Sequence, residues 1–229
     1  ERVLAITMSM VSTPATDRER AVALARGMGV AHEVIELPFD AALARNPRDR
    51  CYLCKTRLFS QLRSLAAKRG YAAVLEGSNA DDLKDHRPGL VAVRELGVLT
   101  PLADAGLSKD SVRMLARSLG LSNWNSPSSP CLLTRLPYGA EVRVDHLRRI
   151  DAAEGALRAM GFREFRVRGH GELARIELAG NEQSRLLVAA VRSTVRARLQ
   201  TLGFSHVTVD LEPYRSGSFD RIKSAGELA

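Results

Sequence analysis

Short apolar runs alternate with helical patterns through the N-terminal half of the sequence. Residues 3–8 and 32–39 have the composition of strands, and a helical pattern separates them from residue 13 to residue 26. A second helical pattern covers residues 54–68, and residues 71–76 predict another strand. Repeated β-α-β units place their strands side by side and in the same direction. The sequence therefore predicts an α/β fold with a parallel sheet.

The order of elements changes in the C-terminal part. Residues 144–160 and 183–202 have helical periodicity, and three strand-like segments accompany them, at residues 164–168, 173–178 and 206–211. This α-β-β-α-β order predicts a separate small α+β domain. We expect one domain over residues 1–138 and a second over residues 139–229.

Charge and length exclude several classes of protein. The chain has 229 residues, with 34 Lys and Arg against 26 Asp and Glu, and a formal net charge of +8. Most of the basic residues are arginines, whose planar guanidinium groups pair with phosphates and carboxylates, so anionic ligands are expected. No apolar run approaches the roughly 20 residues that span a bilayer, and no secretory signal pattern is present. We expect a cytoplasmic protein without a membrane partner.

Three cysteines, Cys51, Cys54 and Cys131, indicate metal or sulfur chemistry. An odd number cannot pair completely as intramolecular disulfides, and a chain of this size does not need disulfides to fold. Structural zinc usually takes four protein ligands, whereas this chain has three cysteines and no histidine at zinc-finger spacing. Three thiolates can hold a 4Fe-4S cluster with one iron open, provided that the fold brings Cys131 to the other two. The alternative is a set of reduced structural thiols.

Residues 76–82 (EGSNADD) follow a predicted strand, where ligands of parallel sheets usually bind. Gly77 would let a ligand approach the backbone, Ser78 and Asn79 offer hydrogen bonds, and aspartates such as Asp82 could hold a cation. An ordinary capped loop before a helix is the alternative.

Arginines in the C-terminal domain predict a phosphate site. Arg166 and Arg168 alternate along one predicted strand and share a face, as do Arg175 and Glu177 on the next strand, so a phosphate or metal-bridged phosphate could bind between them. A solvated strand face with cross-strand ion pairs is the alternative. Trp124 could stack on a pyridinium or adenine ring, or anchor its loop in a core.

Four motifs, in this order, carry a resemblance to a known family. They are residues 46–55 (NPRDRCYLCK), 76–82 (EGSNADD), 85–89 (DHRPG) and 129–139 (SPCLLTRLPYG). Together they resemble the ATP-dependent sulfur transferases that build the nickel-pincer cofactor, the LarE family of the PP-loop superfamily. The resemblance implies that the first domain is a parallel-sheet PP-loop domain of the adenine nucleotide alpha hydrolase type.

The resemblance also implies a reaction. ATP with Mg²⁺ would adenylate a carboxylate of pyridinium-3,5-dicarboxylic acid mononucleotide, a nicotinate-derived substrate, and sulfur would then displace AMP. Two cycles would give the bisthiocarboxylic acid mononucleotide. In one branch of the family the cysteine matching Cys131 is the sacrificial sulfur donor, and in the other three cysteines hold a 4Fe-4S cluster that carries a sulfide. The presence of Cys51 and Cys54 favours the cluster branch.

Individual site residues follow from the same resemblance. The cysteines Cys51, Cys54 and Cys131 are expected to be catalytic and to bind the cluster, and Glu177 to bind metal. Cofactor binding is expected of Gly77, Ser78, Asn79, Asp82, Arg135, Arg166 and Arg168. The family further implies a homo-oligomer, with a hexamer as the candidate state.

One departure from the family pattern concerns ATP. The PP-loop, a Ser-Gly-Gly-x-Asp-Ser turn after the first strand, does not occur in this sequence, and the first strand here matches the family's second. We expect the opening strand, PP-loop and helix to be missing from this sequence, so the functional expectation concerns the intact protein.

Two other classes remain open. A tRNA-thiolating PP-loop sulfurtransferase would share the adenylation step, but no RNA-binding module or aromatic-basic interleaving favours a nucleic-acid partner. A non-enzymatic zinc or nucleic-acid-binding module would need a fourth metal ligand.

Overall fold

A computed structural model describes residues 3–84 and 87–214. Asp85 and His86, the first two residues of one family motif, lie outside the described residues. The chain forms two compact units. Among the described residues, unit 1 comprises residues 3–10, 18–84 and 87–126, and unit 2 comprises residues 11–17 and 127–214. The units therefore divide between Ser126 and Pro127, and the domain boundary at residue 138 stays a prediction.

Unit 1 contains a parallel strand pair and helices, as the sequence predicts. Strand β1 (Ala5–Ser9) pairs in parallel with β2 (His32–Glu36), and helix α1 (Ala15–Gly27) connects them in sequence. The other helices are α2 (Arg50–Lys68), α3 (Pro88–Glu95), α4 (Pro101–Asp104) and α5 (Lys109–Ser118), with 3-10 turns at Ala41–Leu43 and Ala80–Leu83. These observations confirm an α/β fold with a parallel sheet.

Two elements of unit 1 differ from the sequence prediction. The strand predicted over residues 71–76 is wrong in extent, because only Leu75 forms a bridge, in parallel with Leu99. A single bridge leaves the rest of the segment without the ladder that defines a strand. Helix α2 begins at Arg50 rather than at Cys54, so Cys51 and Cys54 both lie in its first turns.

A small apolar cluster joins helices α2 and α3 of unit 1. Leu90, Val93 and Val98 are buried, and Phe59 of α2 packs against them. The contact is close because Gly89, at the start of α3, lacks a side chain. A Cβ atom there would lie 2.9 Å from Lys55 Cδ and 3.3 Å from the Cys51 carbonyl oxygen.

Unit 2 contains a helix, two strands, two further helices and a third strand in sequence, one helix more than the predicted α-β-β-α-β order. Helix α6 (Val144–Ala159) precedes β3 (Phe165–His170), which is antiparallel to β4 (Leu173–Leu178), and β4 is parallel to β5 (His206–Val209). Helices α7 (Gly180–Gln183) and α8 (Ala189–Thr201) lie between β4 and β5 in sequence, with 3-10 turns at Leu132–Arg135 and Ser184–Leu187. The single helix predicted over residues 183–202 is wrong, because Val188 is extended and interrupts it.

The core of unit 2 forms between α6 and the sheet. Leu147, Ile150 and Leu157 of α6 are fully buried, as is Val167 of β3. Gly169 permits this packing, since a Cβ atom there would lie 2.7 Å from Ile150 Cδ1. Strand β3 therefore lies close to α6.

None of the helices within residues 3–84 and 87–214 combines the length and apolar character needed to cross a bilayer.

Candidate functional site

Cys131 lies in unit 2, where a loop leads into the 3-10 turn Leu132–Arg135. We call residues 128–135 the thiol loop. The Cys131 carbonyl oxygen accepts hydrogen bonds from Thr134 N at 3.0 Å and from Thr134 Oγ1 at 2.8 Å. Leu132 N donates to the Ser12 carbonyl oxygen at 2.8 Å. The hydrogen bonds therefore hold the backbone of Cys131, and the residue is half-buried and forms no disulfide.

Arg135 holds the thiol loop from inside the protein. Its side chain is 0% exposed. Nη1 donates to the carbonyl oxygens of Pro130 at 2.8 Å and of Cys131 at 3.3 Å, and to Thr134 Oγ1 at 2.8 Å. The opposite edge donates from Nε and Nη2 to the two carboxylate oxygens of Glu154, at 2.8 and 3.0 Å. Both edges of this guanidinium contact the protein itself, and the cofactor-binding role of Arg135 stays a prediction.

Glu154 is a site residue that the sequence reasoning missed. It lies on α6, four residues after Ile150 and three before Leu157, on the buried face of the helix. Besides Arg135, its oxygens accept hydrogen bonds from Val167 N at 3.1 Å and Arg158 Nη2 at 3.2 Å. A carboxylate on the apolar face of a helix was the signal that could have identified it.

The protonation of Glu154 follows from this surrounding. Burial raises the pKa of its carboxyl, but the hydrogen bonds and charge of Arg135 outweigh burial, so the pKa lies below its usual value. The carboxylate is therefore ionised at neutral pH, and the ion pair with Arg135 is complete.

Arg166 also contacts the thiol loop. It is 5% exposed, and its Nη2 donates to the Ser128 carbonyl oxygen at 2.6 Å, while Nη1 donates to the Phe165 carbonyl oxygen at 2.6 Å. The guanidinium carbon lies 4.5 Å from the centroid of the Tyr214 ring. Burial lowers the pKa of Arg166, and the nearby charge of Arg135 lowers it further.

Arg168 links the thiol loop to Glu177. Its Nη1 donates to the Thr134 carbonyl oxygen, and its Nε and Nη2 donate to the Glu177 carboxylate at 2.9 and 2.7 Å. Arg175 donates to the same carboxylate at 3.1 Å and lies 3.4 Å from Asp210. The cross-strand ion pairs of the alternative interpretation are thus present, but on a buried rather than a solvated face. Guanidinium groups surround the Glu177 carboxylate, and its metal-binding role stays a prediction.

Cys51 and Cys54 lie in unit 1, three residues apart in α2, and therefore on the same side of that helix. Cys51 is exposed, Cys54 is half-buried, and neither forms a disulfide. Two thiols with this spacing suit neighbouring ligand positions of an iron-sulfur cluster. Within either unit, among the described residues, no group of three or more His, Cys, Asp or Glu side chains is arranged to hold a metal ion.

The loop at residues 76–82 of unit 1 has the contacts of a capped turn. Asn79 Oδ1 accepts from the backbone N of Asp81 at 3.0 Å and of Asp82 at 3.3 Å, and Asn79 N donates to Asp82 Oδ2 at 3.0 Å. Ser78 N donates to Glu76 Oε1 at 3.1 Å. These contacts match the alternative interpretation of residues 76–82 as an ordinary capped loop before a helix.

Gly77 has open space beside its backbone. A Cβ atom on Gly77 would meet nothing within 4 Å. The backbone is open there, as the expected approach of a nucleotide requires, and ATP binding by the loop stays a prediction.

Trp124 is 36% exposed, and the Arg117 guanidinium lies 5.0 Å from its ring centroid. The ring therefore does not anchor the loop in a core.

Comparisons with known proteins agree with the motif order. The chain is 39% identical over 224 residues to an uncharacterised protein of Synechocystis, covering 97% of this chain and 84% of that protein. It is 39% identical over 218 residues to the pyridinium-3,5-bisthiocarboxylic acid mononucleotide synthase of Lactiplantibacillus plantarum, covering 93% of this chain and 78% of that protein. An uncharacterised Methanocaldococcus jannaschii protein is 33% identical over 174 residues, covering 76% of this chain and 67% of that protein. No protein-family model matches the sequence.

The fold is that of an α/β protein with a parallel sheet, and the thiols expected for sulfur transfer lie on α2 and in the thiol loop. The identity to the synthase extends over most of both chains. The chain belongs to the LarE family of sulfur transferases, the pyridinium-3,5-bisthiocarboxylic acid mononucleotide synthases.

Proposed function

We propose that this protein is an enzyme that inserts sulfur into pyridinium-3,5-dicarboxylic acid mononucleotide at the expense of ATP, giving the bisthiocarboxylic acid mononucleotide. The observation that carries the proposal is the 39% identity, over 93% of the chain, to a synthase named for that product. Cys131, a half-buried residue without a disulfide on a loop held by three arginines, supports a role in sulfur transfer.

ATP makes the substitution possible. A carboxylate oxygen is a poor leaving group, so one carboxylate oxygen attacks the α-phosphorus of ATP and pyrophosphate departs. Sulfur then attacks the acyl carbon, the carbon–oxygen bond to the phosphate breaks, and AMP leaves. We place ATP and Mg²⁺ at the loop that contains Gly77, Ser78, Asn79 and Asp82.

Cys51, Cys54 and Cys131 would hold a 4Fe-4S cluster, which supplies a sulfide through its one open iron when bound. The spacing of the first two thiols on α2 supports this donor. The same product could form with Cys131 as donor. Its thiolate would attack the acyl adenylate and AMP would leave. Loss of the Cα proton with cleavage of the Cβ–Sγ bond would then release the thiocarboxylate and leave dehydroalanine.

Other parts of the proposal come from the family. We propose a homo-oligomer, with a hexamer as the candidate state, and a small mononucleotide rather than a nucleic acid as the substrate. Arg166 and Arg168 would act beside the substrate, and the buried Arg135 would act through the thiol loop that it holds. Glu177 would bind a metal ion only after losing contacts with Arg168 and Arg175.

The test uses the full-length protein purified without oxygen. Incubation with ATP, Mg²⁺, a sulfide source and the dicarboxylate mononucleotide should yield thiocarboxylate products by mass spectrometry, with one AMP and one pyrophosphate per sulfur inserted. Absence of any thiocarboxylate, with wild-type protein that binds ATP, would refute the proposed function. ATP consumption that depends on tRNA would favour the tRNA-thiolating class instead.

Two variants distinguish the sulfur donors. If the cluster is the donor, both Cys131→Ser and the double variant Cys51→Ser/Cys54→Ser lose activity, and iron and acid-labile sulfide are present in the wild type. If Cys131 is sacrificed, the double variant retains one round of transfer, and the wild-type protein loses the mass of one hydrogen sulfide during turnover.

A further inference from the structure

We propose that Arg135 and Glu154 are positioning residues for sulfur transfer, and that their buried ion pair fixes the backbone on which the Cys131 thiol is carried. This inference rests on the proposed function, because it gives the ion pair a role in placing the reacting sulfur.

Arg135 joins the thiol loop to Glu154. One edge of its guanidinium donates to the Pro130 and Cys131 carbonyl oxygens and to Thr134 Oγ1, and the other edge donates to both oxygens of Glu154. The peptide groups on both sides of the Cys131 Cα atom are thus tied to one rigid planar group. A lysine ammonium, a single point charge, cannot span both sets of partners.

Glu154 is itself held by two elements of unit 2. Its carboxylate is 0% exposed and also accepts hydrogen bonds from Val167 N of β3 and from Arg158 of α6. Glu154 therefore connects the guanidinium to a helix and a strand of unit 2. Rigid elements of this kind position a site more accurately than a free loop does.

The backbone of Cys131 is held by several hydrogen bonds. Its carbonyl oxygen accepts hydrogen bonds from Thr134 N, Thr134 Oγ1 and Arg135 Nη1, whereas its side chain is half-buried and not disulfide-bonded. With the backbone held, rotation about χ1 is the main freedom left to the sulfur. A misplacement of about 1 Å can cost roughly 100-fold in rate, so release of this backbone should slow transfer.

The experiment measures the thiol directly. Cys51→Ser/Cys54→Ser removes the other two cysteines of the 229-residue sequence, and the rate at which iodoacetamide alkylates the peptide that contains Cys131 is followed by mass spectrometry from pH 6 to pH 9. Arg135→Lys keeps the charge next to Glu154 but not the loop contacts. Arg135→Met/Glu154→Leu removes the whole pair without leaving a buried charge. Arg158→Met is the matched control, since it removes another contact of Glu154 and leaves Arg135 in place.

We expect Cys131 in Arg135→Lys and in the double variant to react at least fivefold faster than in the parent across that pH range, and Arg158→Met to react within twofold of the parent. Circular dichroism and thermal unfolding show whether each variant is folded. With the other two cysteines restored, kcat for thiocarboxylate formation should fall at least tenfold in Arg135→Lys while KM for ATP changes little.

Unchanged alkylation and unchanged kcat in a folded Arg135→Lys protein would overturn the positioning role, as would an equal change in the Arg158→Met control. Failure of the proposed function is a separate result, because the wild type would then form no thiocarboxylate although the alkylation rates would still report on the loop.

Discussion

Breaking the buried ion pair one residue at a time should cost more stability than removing both residues. Glu154→Leu leaves the Arg135 guanidinium in an interior where both side chains are 0% exposed. Arg135→Met leaves the Glu154 carboxylate to rely on the partly exposed Arg158 as its hydrogen-bonded cation. Removal of one member of a buried pair typically costs about 3–5 kcal/mol, whereas replacement of both by apolar residues is often close to neutral.

The backbone groups add a second contribution. Glu154→Leu removes the acceptor of Val167 N, and Arg135→Met removes a donor to the Pro130 carbonyl oxygen. Val167 N is buried, and such a group left unsatisfied costs about 1–3 kcal/mol, whereas the Pro130 carbonyl is only partly buried and water can hydrate it. Glu154→Leu should therefore lose about 4–8 kcal/mol in all, Arg135→Met about 3–5 kcal/mol, and Arg135→Met/Glu154→Leu about 1–3 kcal/mol.

Urea unfolding followed by circular dichroism at pH 7 measures these differences. Since domains are usually stable by only about 5–15 kcal/mol, the single variants should be measured at low temperature, with Glu154→Gln as a milder substitute. The exposed pair Arg143–Asp145 offers a control, and its removal should change stability little. If the loss in the double variant equals the sum of the two single losses, the ion pair is not coupled and the reasoning is wrong.

Three further outcomes are expected. Because the pKa of Glu154 is lowered in the folded protein, its contribution to stability is complete above the ordinary carboxyl pKa of about 4.3 and is lost as the pH falls through the lower folded value. In urea unfolding from pH 2 to pH 7, the free energy of unfolding of Glu154→Gln should therefore fall less steeply toward low pH than that of the wild type. Gly89→Ala should lower the free energy of unfolding by about 1 kcal/mol, because its Cβ atom would lie 3.3 Å from the Cys51 carbonyl oxygen. Gly155→Ala, whose Cβ atom would meet nothing within 4 Å, should raise it by about 0.5–1 kcal/mol, and equal effects of the two substitutions would contradict the packing argument. Ser108→Ala should lower the thermal stability of unit 1 by about 1 kcal/mol through loss of the α5 N-cap, and an unchanged melting temperature would show that the cap contributes nothing.

Local patterns predicted many elements correctly. Periodicity identified β1, β4 and α6 within one or two residues. These features depend on a few neighbouring residues. Residues 71–76 were a less accurate prediction, because a strand also needs a partner along its length.

The hydrogen-bond partners of the arginines could not be predicted from local sequence patterns. Alternation along β3 correctly placed Arg166 and Arg168 on one face, but their contacts with the Ser128 and Thr134 carbonyl oxygens lie 38 and 34 residues away in sequence. Glu154 was missed because helical position alone does not tell whether a carboxylate on an apolar face has a buried cation beside it.

Motif order and residue chemistry, which belong to the covalent chain, determined the family and the three thiols on which sulfur transfer would depend. The fold decided what surrounds those groups. Burial strengthens a charge pair and makes an unpaired backbone carbonyl costly. The guanidinium groups that the sequence analysis expected to bind phosphate or a cofactor are therefore, in the folded protein, hydrogen-bonded to Glu154, Glu177 and the thiol loop.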